Sequence, residues 1–249
     1  MRVLSRTVHR LLIHRSEHRG MMGAHADPTD RRTRRRIPSS SSWGFAEGDG
    51  LVPGYACLRL LGGGSRYEVY LAFDERRHAL VVVKILRPDR VSDPDALAGL
   101  EGEARALARL DHPVLIRGFG VEPKGPRPHL VLEHVEGPRL STTIRRHGPL
   151  AIEQALPLGL QLASALHYLS VEGFVHLDVK PSNIIMAGPP RLIDLSIART
   201  PAQARRSRGP LGTDAYMAPE QRLAERWPTI GPAADVWGLG AALYEGLTG

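Results

Sequence analysis

Val175-His176-Leu177-Asp178-Val179-Lys180-Pro181-Ser182-Asn183-Ile184-Ile185 is the stretch from which the rest of the chain is read. An aspartate, a lysine two residues on and an asparagine five residues on share one short loop between apolar, strand-like flanks. Together they supply a proton acceptor, a compact cation and a neutral oxygen ligand for a metal, the set that phosphoryl transfer requires. Leu192-Ile193-Asp194-Leu195-Ser196 follows and adds a second metal-binding carboxylate at a strand end. An isolated aspartate there would serve equally as a turn residue.

Working toward the N-terminus, Lys84 lies inside Leu80-Val81-Val82-Val83-Lys84-Ile85-Leu86. A lysine in so hydrophobic a strand is costly unless its ammonium finds anions or its stem carries it to the surface. Glu103, one helical turn before Leu107 and so near the apolar side of the next segment, is its expected partner; Glu101, on another face, is the rival. Further upstream, Leu61-Gly62-Gly63-Gly64-Ser65-Arg66-Tyr67-Glu68-Val69 sits between two strand-like runs. Its glycines would let backbone N–H groups approach phosphate oxygens, although three glycines also make an ordinary tight turn. Only three of the 33 basic residues are lysines (Lys84, Lys124 and Lys180). Two of the three fall in these motifs, where a compact ammonium serves better than a guanidinium fork.

The surrounding pattern predicts strands over 57–61, 68–73 and 79–86, a helix over 95–110, two short strands over 115–121 and 129–133, and helices over 141–146 and 152–169. Pro157 falls inside the last and removes one intrahelical bond near its start. A small sheet with one helix, followed by a helical region, implies two lobes and a ligand-binding cleft between them.

The chain has 249 residues, of which 42% are hydrophobic and 24% charged, enough for a sizeable core and too apolar for disorder throughout. A lone cysteine, Cys57, excludes a disulfide-stapled scaffold and points to a reducing, cytoplasmic setting. No stretch approaches the roughly 20 apolar residues of a membrane span. The formal net charge of +7 would suggest nucleic acid as a partner. Residues 1–40, however, hold ten arginines against three acidic residues, a surplus of seven, so the remainder is neutral. A nucleic-acid partner is therefore not expected. Residues 1–50 read as a disordered basic arm and linker, 51–137 as the first lobe and 138–249 as part of the second.

In the order and spacing of these motifs the chain resembles the eukaryotic-type Ser/Thr protein kinase family, from about Tyr55 to its last residue. Gly212-Thr213-Asp214-Ala215-Tyr216-Met217-Ala218-Pro219-Glu220 resembles the end of a kinase activation segment, and Asp235-Val236-Trp237-Gly238-Leu239-Gly240 the start of the central C-lobe helix. The resemblance implies an α+β, protein-kinase-like two-lobe fold, with an antiparallel β N-lobe carrying one helix and a mainly helical C-lobe that is truncated. It implies ATP and Mg2+ as cofactors and protein Ser/Thr hydroxyls as substrates. Asp178 would accept the substrate proton, Lys180 would neutralise the moving phosphoryl group, and Lys84, paired with Glu103, would contact the α and β phosphates. Asn183 and Asp194 would hold magnesium. Leu61, Gly62, Gly63, Gly64, Val69, Val82, Lys84, Glu133, Val135 and Ile185 would bind the nucleotide, with Leu132 at the back of the pocket and 133–135 as the hinge. Thr213 would bond near Asp178 and Lys180.

Four departures from the family pattern shape further expectations. Tyr67 stands where the third loop glycine usually is, so the loop tip is expected to close less readily. Leu177 replaces the arginine before the catalytic aspartate, which removes the main partner of an activation-segment phosphate; Arg205, Arg206 and Arg208, around Ser207, are the remaining candidates. Ser196 replaces the glycine after Asp194. The chain also stops at Gly249, where relatives continue, so the apolar face of the last helix (Trp237, Leu239, Leu243 and Leu247) is expected to be uncovered and to invite a partner. Two other functions are carried alongside: a pseudokinase acting as a nucleotide- or partner-binding module, and a small-molecule phosphotransferase of the same fold.

Overall fold

The computed structural model describes residues 42–206, 211–223 and 230–249. Six antiparallel strands form one sheet in the order β1-β2-β3-β4-β6-β5: β1 Gly50–Val52, β2 Tyr55–Gly63, β3 Tyr67–Asp74, β4 Ala79–Leu86, β5 Gly118–Glu122 and β6 His129–Glu133. The alternation of side chains along a strand divides β4 between two faces. Val81, Val83 and Ile85 enter one cluster with Leu51, Cys57, Tyr70, Ala72 and Val131. Leu86 lies in the main core with Leu100, Leu107, Leu130 and Leu132, and Val82 packs against it. Burial on both faces is why β4 reads as an apolar run broken only by Lys84.

Helix α1, Pro94–Arg109, begins where the Asp93 side chain accepts hydrogen bonds from the amides of Asp95 and Ala96. The predicted strand over 115–121 is displaced to β5, because the buried stretch Val114 to Ile116 crosses to another partner. Leu192 N donates to Val114 O at 2.7 Å, and Ile116 N donates to Leu192 O at 3.1 Å.

The second lobe is built on α2, Leu140–His147, and α3, Ile152–Val171, with the β7 (Ile184–Ile185) and β8 (Arg191–Leu192) hairpin beside them. Two short helices, α4 Pro201–Arg206 and α5 Pro219–Arg222, precede α6, Pro232–Thr248. Pro157 is accommodated within α3. The lobe's core comes from the inner faces of α3 (Leu158, Leu162, Ala165, Leu166 and Leu169) and α6 (Leu239 and Ala242). Two glycines permit close approach to α6: a Cβ at Gly159 would lie 3.1 Å from Leu243 Cδ1, and one at Gly238 would lie 3.0 Å from Val179 O.

Two sequence expectations change here. Residues 42–49, assigned to a disordered linker, pack on the sheet: Trp43 Nε1 donates to Leu86 O at 2.8 Å, and Phe45 meets Tyr70 edge-on at 5.6 Å. The rest of the arm lies outside the described residues. The apolar face of α6 is also only partly uncovered. Leu239 is buried and Leu243 packs on the core, while Val236, Trp237, Tyr244 and Leu247 are exposed. Of the exposed set, Trp237 and Tyr244 edge a shallow groove with Ala215, Tyr216 and Glu245. Among the described residues no helix is long and apolar enough to cross a membrane.

Candidate active site

Lys84 leaves the inner face of β4 and is only 6% exposed. Its Nζ donates to Glu103 Oε2 at 2.8 Å and to Asp194 Oδ1 at 3.0 Å. Burial works against the charged ammonium, but the two carboxylates outweigh it and hold the lysine pKa above its ordinary value. Asp194 shows the converse. Burial would raise its pKa, and Lys84 together with the Ser196 side chain overcomes this and holds the carboxyl well below the usual carboxylate range. The helical register decides between the two candidate glutamates. Glu103 is buried on α1 beside Leu100, Ala106 and Leu107, whereas Glu101 faces solvent and pairs with Arg105 at 3.4 Å.

Asp178 lies at the centre of a second cluster. Its Oδ1 accepts from Thr213 Oγ1 at 2.7 Å, and its Oδ2 accepts from Lys180 Nζ at 2.6 Å and Asn183 Nδ2 at 3.0 Å. Lys180 Nζ also donates to Thr213 Oγ1 at 2.6 Å, and Asn183 Nδ2 to Asp178 O at 2.9 Å. The Asn183 amide nitrogen is thus committed twice to Asp178, which leaves its oxygen as the group available to a cation. That oxygen and the carboxylate of Asp194 are hard donors of the kind that hold Mg2+ together with substrate phosphates, so the residues present suit that ion. Leu177 and Asp194 have φ of 68° and 70°, a left-handed conformation that non-glycine residues adopt at a cost of about 1–3 kcal/mol. Both loops therefore hold strain that their surroundings must offset.

For the loop holding Leu177, two residues given no role from sequence supply that support. Asp235, in the first turn of α6, accepts from His176 N through Oδ2 and from Leu177 N through Oδ1, both at 2.8 Å. Burial pushes its carboxyl pKa up against these bonds. Gln221 Nε2 donates to Leu177 O at 2.9 Å and to Leu211 O at 2.6 Å, tying α5 to the same loop. The signals for Asp235 are its place at the head of the motif quoted for the last helix and a carboxylate in that helix's apolar first turns; Gln221 had none. Asp235→Ala strands two buried amides at about 1–3 kcal/mol each. The expected result is a lowered unfolding midpoint, read by thermal denaturation, with Asp235→Asn milder because one acceptor remains.

The glycine segment forms the end of the β2–β3 hairpin. Gly64 N donates to Tyr67 O at 3.0 Å across its tip. A Cβ at Gly63 would lie 2.5 Å from that same carbonyl, so the position admits glycine alone. Tyr67 turns inward and is nearly buried, and its hydroxyl donates to Ala96 O of α1 at 3.3 Å. Lys84 Nζ sits 4.7 Å from its ring centroid, a cation–π contact. The side chain that stands in place of the third glycine thus joins the hairpin to α1 and to Lys84.

Leu61, Gly62, Val69, Val82, Glu133, Val135 and Ile185 are all half-buried, as residues facing a cleft are, while Gly63 and Gly64 are exposed. The sheet register sets Val69 opposite Lys84, and Val82 opposite Leu132 at the start of the connecting segment. Glu133 accepts from Arg191 Nε at 3.0 Å, which fixes that segment to β8. Ile185 lies beneath it: a Cβ at Gly137 would lie 3.1 Å from Ile185 Cγ2. Leu177 is 3% exposed, in an apolar cluster with Val175, Ala204, Ala218, Ile230 and Ala234. The candidate phosphate partners Arg205, Arg206 and Arg208, with Ser207, have side chains outside the described residues.

Comparison with known proteins agrees with this arrangement. A model of the protein kinase domain matches residues 55–249. Serine/threonine-protein kinase PknB of Mycolicibacterium smegmatis is 36% identical over 205 residues, covering 78% of this chain and 32% of the relative. PknB of Mycobacterium tuberculosis is 35% identical with the same coverage, and PknA of that organism is 34% identical over 204 residues, covering 78% of this chain and 47% of the relative. The chain thus spans about a third of the length of the PknB relatives. A crystal structure of a kinase domain superposes with a TM-score of 0.72 at 21% identity, covering 84% of this chain and 68% of that one, a likeness of fold.

Proposed function

The chain belongs to the protein kinase domain family, and from that premise we propose that it is an ATP-dependent serine/threonine protein kinase. The observation that carries the reading is the convergence of two clusters: Lys84 with Glu103 and Asp194, and Asp178 with Lys180, Asn183 and Thr213.

In the proposed reaction the hydroxyl oxygen of a substrate Ser or Thr attacks the γ phosphorus of ATP. The bond from that phosphorus to the β–γ bridging oxygen breaks, and ADP leaves with the electron pair. The hydroxyl proton passes to Asp178, whose carboxylate is aimed by Thr213, Lys180 and Asn183. Lys180 places its positive charge beside Asp178, where negative charge accumulates on the moving group. Lys84 would hold the α and β phosphates, with Glu103 keeping its ammonium from turning away. Gly62 to Gly64 would cover the phosphates with backbone N–H groups. Leu61, Val69, Val82, Val135 and Ile185 would enclose the base, and the backbone of 133–135 would pair with its edge. Mg2+, when bound at Asn183 and Asp194, supplies neutralising charge to the phosphate oxygens. A cytoplasmic setting, which supplies ATP and keeps thiols reduced, suits the buried Cys57.

The Lys180–Thr213–Asp178 chain of hydrogen bonds favours a protein substrate over a small alcohol, because it joins the catalytic loop to the segment where a peptide would dock. With γ-labelled ATP and a generic basic protein, acid hydrolysis of the product should recover the label on phosphoserine or phosphothreonine. Label found only on small alcohols would establish the small-molecule reading instead.

The burial of Leu177 also bears on regulation. An apolar side chain at this position, packed against Ala204 and Ala218, offers an activation-segment phosphate no cation. Phosphatase treatment is therefore expected to leave the rate of substrate phosphorylation nearly unchanged; a large loss would contradict this.

A further inference from the structure

A buried ion pair holds the glycine hairpin from behind. Arg87, the residue after β4, is 3% exposed, and Glu68, the second residue of β3, is 1% exposed. Arg87 Nη1 lies 3.1 Å from Glu68 Oε1. The same guanidinium donates through Nε to Gly64 O at 2.7 Å, and the Arg87 backbone N donates to Arg66 O at 2.9 Å. One residue thereby grips both ends of the hairpin tip.

The other oxygen of Glu68 accepts from Tyr70 Oη at 2.6 Å and from the Trp43 backbone N at 3.2 Å. Trp43 is itself seated firmly. Its indole N–H bonds to Leu86 O, its ring stacks on Phe45 with centroids 6.0 Å apart, and the Arg127 guanidinium lies 5.4 Å from the ring centroid. A continuous path therefore runs from the segment before β1, through Glu68 and Arg87, to the carbonyl of Gly64.

A charge pair withdrawn from water gains little stability over apolar side chains of the same volume; what it adds is direction. Here the direction is imposed on the backbone of three consecutive glycines, which have more conformational freedom to lose on ordering than any other residues. Fixing such a loop before the ligand arrives raises affinity without adding a contact to the ligand. We infer that Arg87, oriented by Glu68 and through it by Trp43, is a positioning residue that pre-forms the Gly62 to Gly64 loop for nucleotide phosphates. The inference rests on the reading of that loop as the phosphate-binding element.

The test measures the dissociation constant for ATP with Mg2+ by equilibrium titration, alongside KM for ATP and kcat. In Arg87→Met the dissociation constant and KM should both rise about tenfold, as expected for the loss of one charge-assisted hydrogen bond. The turnover number should stay within about twofold, because the groups around Asp178 are untouched. Arg87→Lys keeps the charge but not the fork, and should recover part of the affinity. A folded Arg87→Met that binds ATP as the wild type does overturns the inference. Should that variant fail to fold, Trp43→Ala decides, since it loosens the same carboxylate from outside the sheet. It should raise the ATP dissociation constant about threefold, and no change would overturn the inference. Binding separates this claim from the catalytic one: a wild type that binds ATP without transferring phosphate defeats only the kinase reading, and one that binds no nucleotide defeats both.

Discussion

Asp178→Asn is expected to lower kcat by about 10²–10⁴-fold while leaving ATP affinity nearly unchanged, the range by which a positioned general base accelerates a proton transfer. The amide is isosteric with the carboxylate, so the loop has every reason to fold. Its oxygen can take the Oδ2 position, where Lys180 and Asn183 both donate. Its NH2 must then face Thr213 Oγ1, which donates to Asp178 Oδ1 in the wild type and would have to turn and accept instead. The geometry survives at the cost of one reversed hydrogen bond, and the proton acceptor is gone. Turnover measured at saturating ATP, with binding measured separately, isolates that loss.

Lys84→Met should have the second large effect, and on two properties at once. Removing the ammonium leaves Glu103 buried and unpaired, and the breaking of a buried pair from one side costs about 3–5 kcal/mol. For a domain of this size the unfolding midpoint should fall by about 6–20 °C. Catalysis should fall by about 10²–10³-fold, as when one preorganised cationic or hydrogen-bond donor is lost from a transition state. The acid limb of stability should change as well. Asp194 is held below its unfolded pKa of about 3.9, so its pairing stabilises the fold fully above that value and is lost as pH falls through the depressed one. Without Lys84 the depression shrinks and the decline in stability below about pH 4 becomes shallower. Thermal unfolding across pH 2.5–7 reads both effects; an unaltered midpoint would mean that the Lys84–Glu103 bond is unimportant.

The groups proposed to be catalytic were legible in the chain because each breaks a local rule. Lys84 interrupts an apolar strand, Asp178, Lys180 and Asn183 crowd one short loop, and periodicity alone chose Glu103 over Glu101. The supports around them were not legible, because they obey local rules. Arg87, just after β4, and Glu68, just after the glycine segment, carry no local sign of burial, yet the two are buried against each other. Trp43 and Phe45 sit in a Ser- and Gly-rich stretch whose composition reads as linker, and two large aromatic rings outweigh that composition by packing on the cluster that holds Tyr70, with the Trp43 indole bonded to Leu86 O.

The direction of the Tyr67 side chain was not legible for a related reason, because it depends on α1, which packs against it. The last helix divides in the same way. All four apolar residues expected to be uncovered do lie on α6, but the packing of α3 and the catalytic loop decides which of them are buried, and it buries Leu239 and partly buries Leu243.

The most direct measurement of the central claim is incorporation of label from γ-labelled ATP, with Mg2+, into a generic basic protein by wild type and Asp178→Asn side by side at saturating nucleotide. Label on serine or threonine is expected with the wild type, and a signal near background with the variant. Equal incorporation by the two proteins, or none by a wild type that binds ATP, would contradict it.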